Sequence, residues 1–96
     1  MMTAKLSIEE IQTEIAKING WSFESKQQFI TKKFKFNNWL EVMAFLNKIT
    51  DAAEELNHHP NINFTYGFCE IKIQTHDIKA ISQLDFKLAL KIDNCL

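Results

Sequence analysis

Apolar residues recur at three- and four-residue steps at Ile8, Ile11, Ile15 and Ile18, the spacing that lines one face of an α-helix. Ser7 and Glu10 fit a capping box, in which hydroxyl and carboxylate satisfy each other's backbone donors. Asn19-Gly20 ends the segment, because Gly readily enters the left-handed conformation past a helix end. A first helix is predicted over residues 8–18. The period then changes. Trp21 and Phe23 share one face of a short strand, Ser25-Lys26-Gln27 supplies a turn, and Phe34 and Phe36 alternate with Lys33 and Lys35, as in a half-buried strand.

A longer helix follows, capped by Asn37 or Asn38, with Trp39, Val42, Met43, Leu46, Ile49, Ala53 and Leu56 as its apolar stripe. Pro60 stops it, and residues 61–75 return to strand alternation. Phe64 and Tyr66 precede Gly67, a tight turn or bulge, and Cys69, Ile71 and Ile73 alternate with Glu70, Lys72 and Gln74. Ser82 caps a last helix with Asp85 in its first turn and Leu84, Leu88 and Ile92 on its apolar face. The order α-β-β-α-β-β-α predicts an α+β fold, a four-stranded antiparallel sheet with three helices on one face. Residues 1–96 are expected to form a single domain.

Composition narrows the function classes. The chain has eleven Lys+Arg against twelve Asp+Glu, and Lys32, Lys33 and Lys35 are its only basic cluster. Nucleic-acid binding by phosphate neutralisation is not favoured, since it needs several clustered cations. These lysines are expected on the solvated face of a strand. Cys69 and Cys95 lie far apart, which disfavours a disulfide framework or a zinc-thiolate site. The start, MMTAKLSIEE, does not resemble a signal peptide. With no apolar run of the roughly 20 residues a bilayer requires, no membrane association and a cytoplasmic location are expected.

The three histidines are His58, His59 and His76, and Asp85 lies nine residues after the last. An imidazole suits proton transfer at neutral pH. Segment ends converge at the rim of an α+β layer, so the four could line one cleft. The alternatives are a surface His-His pair, or three zinc ligands, although adjacent residues rarely ligate one metal together. Glu54 and Glu55 sit at a helix C-terminus, where the dipole disfavours negative charge. This points to another use for one of them, or to a merely solvated pair.

Glu54-Glu55-Leu56-Asn57-His58-His59-Pro60, followed by Tyr66, Thr75-His76 and Asp85, resembles the signature of the pterin-4a-carbinolamine dehydratases. Gly20-Trp21 and Phe34-Lys35-Phe36 resemble that family's first hairpin, and the likeness covers residues 6–92. It implies dehydration of 4a-hydroxytetrahydropterin to quinonoid dihydropterin, with a functional link to an aromatic amino acid hydroxylase. His58 and His76 would be the acid/base groups, and His59 would bind and orient the substrate. Asp85 would orient a histidine, in the first place His76. Glu54 would hold a donor on the pterin or an imidazole, and Thr75 would meet the pterin's amide edge. No metal or cofactor is required, and a homodimer or homotetramer is expected. Two positions depart from the pattern: Ile62 stands where animal members carry Trp, and Gln74 where a small Ser is expected. The alternative is a non-catalytic interaction or transcriptional co-regulator protein on the same fold.

Overall fold

Alternation along the strands decides which side of the sheet the helices cover. The computed structural model describes residues 2–96. The chain runs α1 (Ile8–Ile15), β1 (Ser22–Glu24), β2 (Phe29–Lys35), α2 (Trp39–Leu56), β3 (Asn61–Thr65), β4 (Phe68–Ile73) and α3 (Gln83–Asp93), with a 3₁₀ turn at His76–Ile78. This is the predicted α+β order. The four strands form one antiparallel sheet in the order β1-β2-β4-β3. Ile30 faces Ile73, Phe34 faces Cys69, and Ile62 faces Ile71 across the ladders. Directly opposed residues share a face, so these side chains build one apolar surface. Ile11, Phe45, Ile49, Leu88 and Ile92 from the three helices close over it. The opposite face carries Thr31, Lys33, Lys35, Glu70 and Lys72 at the intervening positions.

Three details differ from the sequence expectations. Helix α1 stops at Ile15, because the next turn tightens: Lys17 N–H donates to the Glu14 carbonyl at 3.1 Å and Ile18 N–H to Ile15 at 3.3 Å. The apolar stripe of α2 runs through Phe45 and Ala52, while Trp39 is largely exposed. Phe45 is claimed by aromatic partners, 4.8 Å from the Phe34 ring and 5.0 Å from Phe36. Trp39 lies instead against Phe64 at 5.8 Å, near the surface.

Lys32 does not share the solvated face of Lys33 and Lys35. Period two places it on the helix side, between Ile30 and Phe34. A cation there needs a partner, and Asp93 supplies it with an Nζ–Oδ1 distance of 2.8 Å. Asp93 also accepts from Trp21 Nε1 at 3.0 Å, and Lys32 donates to the Asn19 carbonyl at 2.8 Å. This ties the end of α3 to β2 and to the α1–β1 connection.

Cys69 is buried in the sheet, and burial pushes its thiol up to about 11, so it is poorly nucleophilic at neutral pH. The β3–β4 turn depends on Gly67, whose φ is +73°. An added Cβ would stand 2.8 Å from the Phe36 carbonyl oxygen, beside the 2.8 Å hydrogen bond from Phe36 N–H to the Gly67 carbonyl. Gly67→Ala should therefore destabilise the fold by about 1–3 kcal/mol, read as a lowered midpoint in urea unfolding. A wild-type midpoint would show that the turn tolerates the side chain.

Candidate active site

The backbone at the end of α2 sorts the two adjacent histidines. Asn57 adopts the left-handed conformation (φ 49°, ψ 43°), which Asn tolerates better than most residues. His58 N–H then closes onto the Ala53 carbonyl at 3.0 Å, and the chain turns His58 inward and His59 outward. His58 is buried, whereas His59 is exposed. Its Nε2 is hydrogen-bonded to the exposed Glu54 carboxylate. One acidic residue at this helix end thus has a use: Glu54 steadies His59. Glu55 pairs with Lys91 at 3.0 Å.

His58 meets Asp85. Its Nε2 is 2.6 Å from Oδ1 of Asp85, which is fully buried in the first turn of α3. The other oxygen, Oδ2, accepts from the Thr75 hydroxyl at 2.8 Å and from the Ser82 backbone N–H at 2.9 Å. Because the Thr75 proton goes to Asp85, the Ser82 hydroxyl donates to Thr75 Oγ1, at 2.7 Å. The result is a directed chain, Ser82 to Thr75 to Asp85, with His58 donating from the far side. Facing a carboxylate acceptor, Nε2 carries the imidazole proton, and Nδ1 is left free.

Two roles inferred from sequence change with this geometry. Asp85 orients His58, not His76, although His76 is nearer in the chain: the left-handed turn at Asn57 brings His58 to it. Thr75 is buried with its hydroxyl spent on Asp85 and Ser82, so that hydroxyl serves the carboxylate and not a ligand. His76 opens the 3₁₀ turn just after Thr75 and is exposed.

His58, His59, Thr75 and His76 all line one cleft of about 440 Å³, with Asn57, Leu84 and Asp77 among the remaining walls. That volume lies in the range of small-molecule sites. Glu54 touches the cleft only through His59. Tyr66 sits in the β3–β4 turn, outside this lining. Ile62 is half-buried and packs on the core opposite Ile71, so it does not cover the cleft. Gln74 donates from Nε2 to the carbonyls of Gln27 and Gln28 at 2.7 and 2.9 Å, bracing the β1–β2 turn. Among the described residues no three His, Cys, Asp or Glu side chains converge as a metal site requires. Ser82, Asn57 and Leu84 were not expected at the site. Ser82 had a visible signal in its capping relation to Asp85, and the other two depend on the fold.

A family profile described as pterin 4 alpha carbinolamine dehydratase matches residues 4–95. A relative from Hydrogenovibrio crunogenus is 42% identical over 89 residues, 93% of this chain and 79% of its own. One from Sulfurisphaera tokodaii is 40% identical over 92 residues, 96% of this chain and 97% of its own. One from Halorhodospira halophila is 34% identical over 90 residues, 94% and 83% of the two chains. Each is named, provisionally, as a pterin-4-alpha-carbinolamine dehydratase. A crystal structure of a transcriptional coactivator/pterin dehydratase from Brucella melitensis superposes with a TM-score of 0.92 at 26% identity, covering 96% of this chain and 98% of that one. The fold defines a small α+β protein in which three histidines line one cleft and a buried aspartate holds one of them. The chain belongs to the pterin-4a-carbinolamine dehydratase family. A pterin dehydratase-like protein described as a RuBisCO assembly factor in the alpha-carboxysome shares the fold, with a TM-score of 0.69 over 80% of this chain and 89% of its own at 24% identity.

The buried chain predicts a stability order. Asp85→Ala strands the Thr75 hydroxyl, the Ser82 amide and the His58 ring, and should cost about 3–5 kcal/mol. Ser82→Ala removes only the outermost donor and should cost about 1 kcal/mol. Urea unfolding measures both, and equal losses would contradict a chain centred on Asp85.

Proposed function

We propose that this protein dehydrates 4a-hydroxytetrahydropterins to quinonoid dihydropterins, as a 4a-hydroxytetrahydrobiopterin dehydratase (a hydro-lyase) of pterin recycling. The observation that carries the reading is the convergence of all three histidines on one cleft, with His58 anchored by a buried carboxylate. Family membership supports it.

The elimination removes a hydroxyl from C4a and a proton from N5. The hydroxyl leaves as water once an acid has protonated it, and the N5–H electron pair becomes the second bond of C4a=N5. One imidazole donates a proton and another accepts one, so atoms and charge balance without a redox partner. His58 and His76 are the two proton-transfer groups. His58 offers the Nδ1 that Asp85 leaves free, and His76 stands on the same cleft from the 3₁₀ turn. His59, steadied by Glu54, binds and orients the ring. Asp85 and Thr75 position His58.

The substrate arises where an aromatic amino acid hydroxylase consumes tetrahydropterin, and that is the functional link we infer. Among the described residues no helix is long and apolar enough to cross a membrane, and a cytoplasmic setting is part of the proposal. Strands β1 and β3 leave open sheet edges, and edges of this kind pair with other chains. Assembly into a homodimer or homotetramer is the corresponding proposal. A partner-binding, co-regulator role is the second reading, favoured by exposed Trp39, Leu40, Phe64 and Tyr66 and by the coactivator name that the Brucella melitensis protein carries.

The test is decay of chemically generated 4a-hydroxytetrahydropterin with and without the protein. Losing a proton-transfer group costs roughly 10²–10⁴-fold, so the His58→Ala/His76→Ala double variant should fall near the uncatalysed rate. Each single variant should slow one 4a-stereoisomer more than the other, and His59→Ala should mainly raise KM. Near-full activity in the folded double variant would refute the assignment and leave the partner-binding reading.

A further inference from the structure

A second cleft opens beside the first, at one end of the sheet face that the helices leave bare. Its volume is about 290 Å³, and it shares His59 and His76 with the larger cleft, together with Asn61. Phe29, Lys72 and Gln74 form much of the remaining wall. Strand register explains the grouping: Asn61 stands directly opposite Lys72, where β4 is ending and β3 has just begun. Phe29 opens β2 on the same side.

Among the described residues Lys72 is the one Lys, Asp or Glu in the lining of this cleft. Lys72 is half-buried, and its Nζ lies 4.9 Å from the centroid of the Phe29 ring. The ring restrains the ammonium and removes water from one side of it without neutralising its charge. Among the described residues Lys72 makes no ion pair, and no carboxylate lines the cleft. The acids nearby in the fold lie outside this lining. Glu24 accepts from the backbone N–H groups of Lys26 and Gln27 at 3.2 and 2.6 Å, and Glu54 holds His59. Glu70 lies opposite Lys33. With its Nε2 committed to two carbonyls, Gln74 braces the wall. A restrained, unneutralised cation in a concave site calls for an anion.

We propose that this cleft binds an anionic group, a phosphate ester in the first instance, carried on the side chain of the ligand whose ring occupies the histidine cleft. The inference rests on the pterin reading and deepens it: the substrate class becomes pterins with a negatively charged side chain. His59 and His76 form the shared wall, so one molecule reaches both clefts. Lys72 is then a specificity residue that never touches the reacting atoms.

Calorimetry with two matched probes tests this: a dihydropterin bearing a neutral trihydroxypropyl side chain, and its phosphate monoester. Near pH 7.5 the ester carries nearly two charges, and about 0.1 M salt screens distant lysines. Wild-type protein should bind the ester about five- to tenfold more tightly than the neutral probe. Lys72→Gln should erase that preference while leaving the neutral probe's affinity within about twofold. Lys33→Gln, on the same sheet face but outside the cleft, should keep it. Equal affinities in the wild type, a preference surviving Lys72→Gln, or equal loss in Lys33→Gln would overturn the proposal. Tight binding of the neutral probe with no ester preference would do so while leaving the pterin reading intact. Binding of neither probe would overturn both.

Discussion

The buried carboxylate of Asp85 is the constraint around which the site is arranged. A carboxylate removed from water must be met by donors, or its burial costs several kcal/mol. Here the donors come from three separated places: His58 after α2, Thr75 after β4, and the Ser82 amide at the start of α3. Satisfying one side chain therefore pins three segment ends together. The cleft is the space they enclose. Its floor is a fully hydrogen-bonded network, and no buried side-chain polar atom among the described residues lacks a partner.

The same constraint divides labour among the histidines. His58 is held on one nitrogen, leaving the other committed to a single direction. His59, one residue on, faces solvent and is held only by the exposed Glu54. A pair that looks equivalent in sequence becomes one rigid group and one adaptable group. His76 is carried by a turn that Thr75 anchors from both sides, through its hydroxyl and through the 3.0 Å bond from its N–H to the Ala80 carbonyl. The difference within the adjacent pair fits the roles proposed for it, His58 in proton transfer and His59 in binding.

What the sequence made legible was local. The capping box at Ser7, the strand alternation around Phe34 and Ile71, and the breaks at Gly67 and Pro60 involve neighbours, and each shows in the structure as read. What escaped involves partners distant in the chain. The partner of Lys32 is Asp93, and only strand register turns Lys32 toward it. Phe45 joined the core because two rings of β2 and its extension met it there. The link between Asp85 and His58 spans 27 residues and hinges on a left-handed Asn57 that no periodicity signals. The three histidines and Thr75 of the cleft were legible because the family signature names them. Their pairing was not, since proximity in sequence favoured His76 for Asp85.

The central claim is that Asp85 fixes the His58 ring with its Nε2 proton toward the carboxylate and Nδ1 free toward the cleft. Long-range ¹H–¹⁵N correlation spectra of the imidazoles, recorded on the native protein at neutral pH, report this directly. The account predicts a His58 ring with a proton fixed on Nε2 in the wild type, giving way to the Nδ1–H pattern in folded Asp85→Asn, whose carboxamide keeps its oxygen toward Thr75 and Ser82 and turns its NH₂ to Nε2. A wild-type His58 carrying its proton on Nδ1, or averaging between tautomers as a solvent-exposed imidazole does, would contradict it.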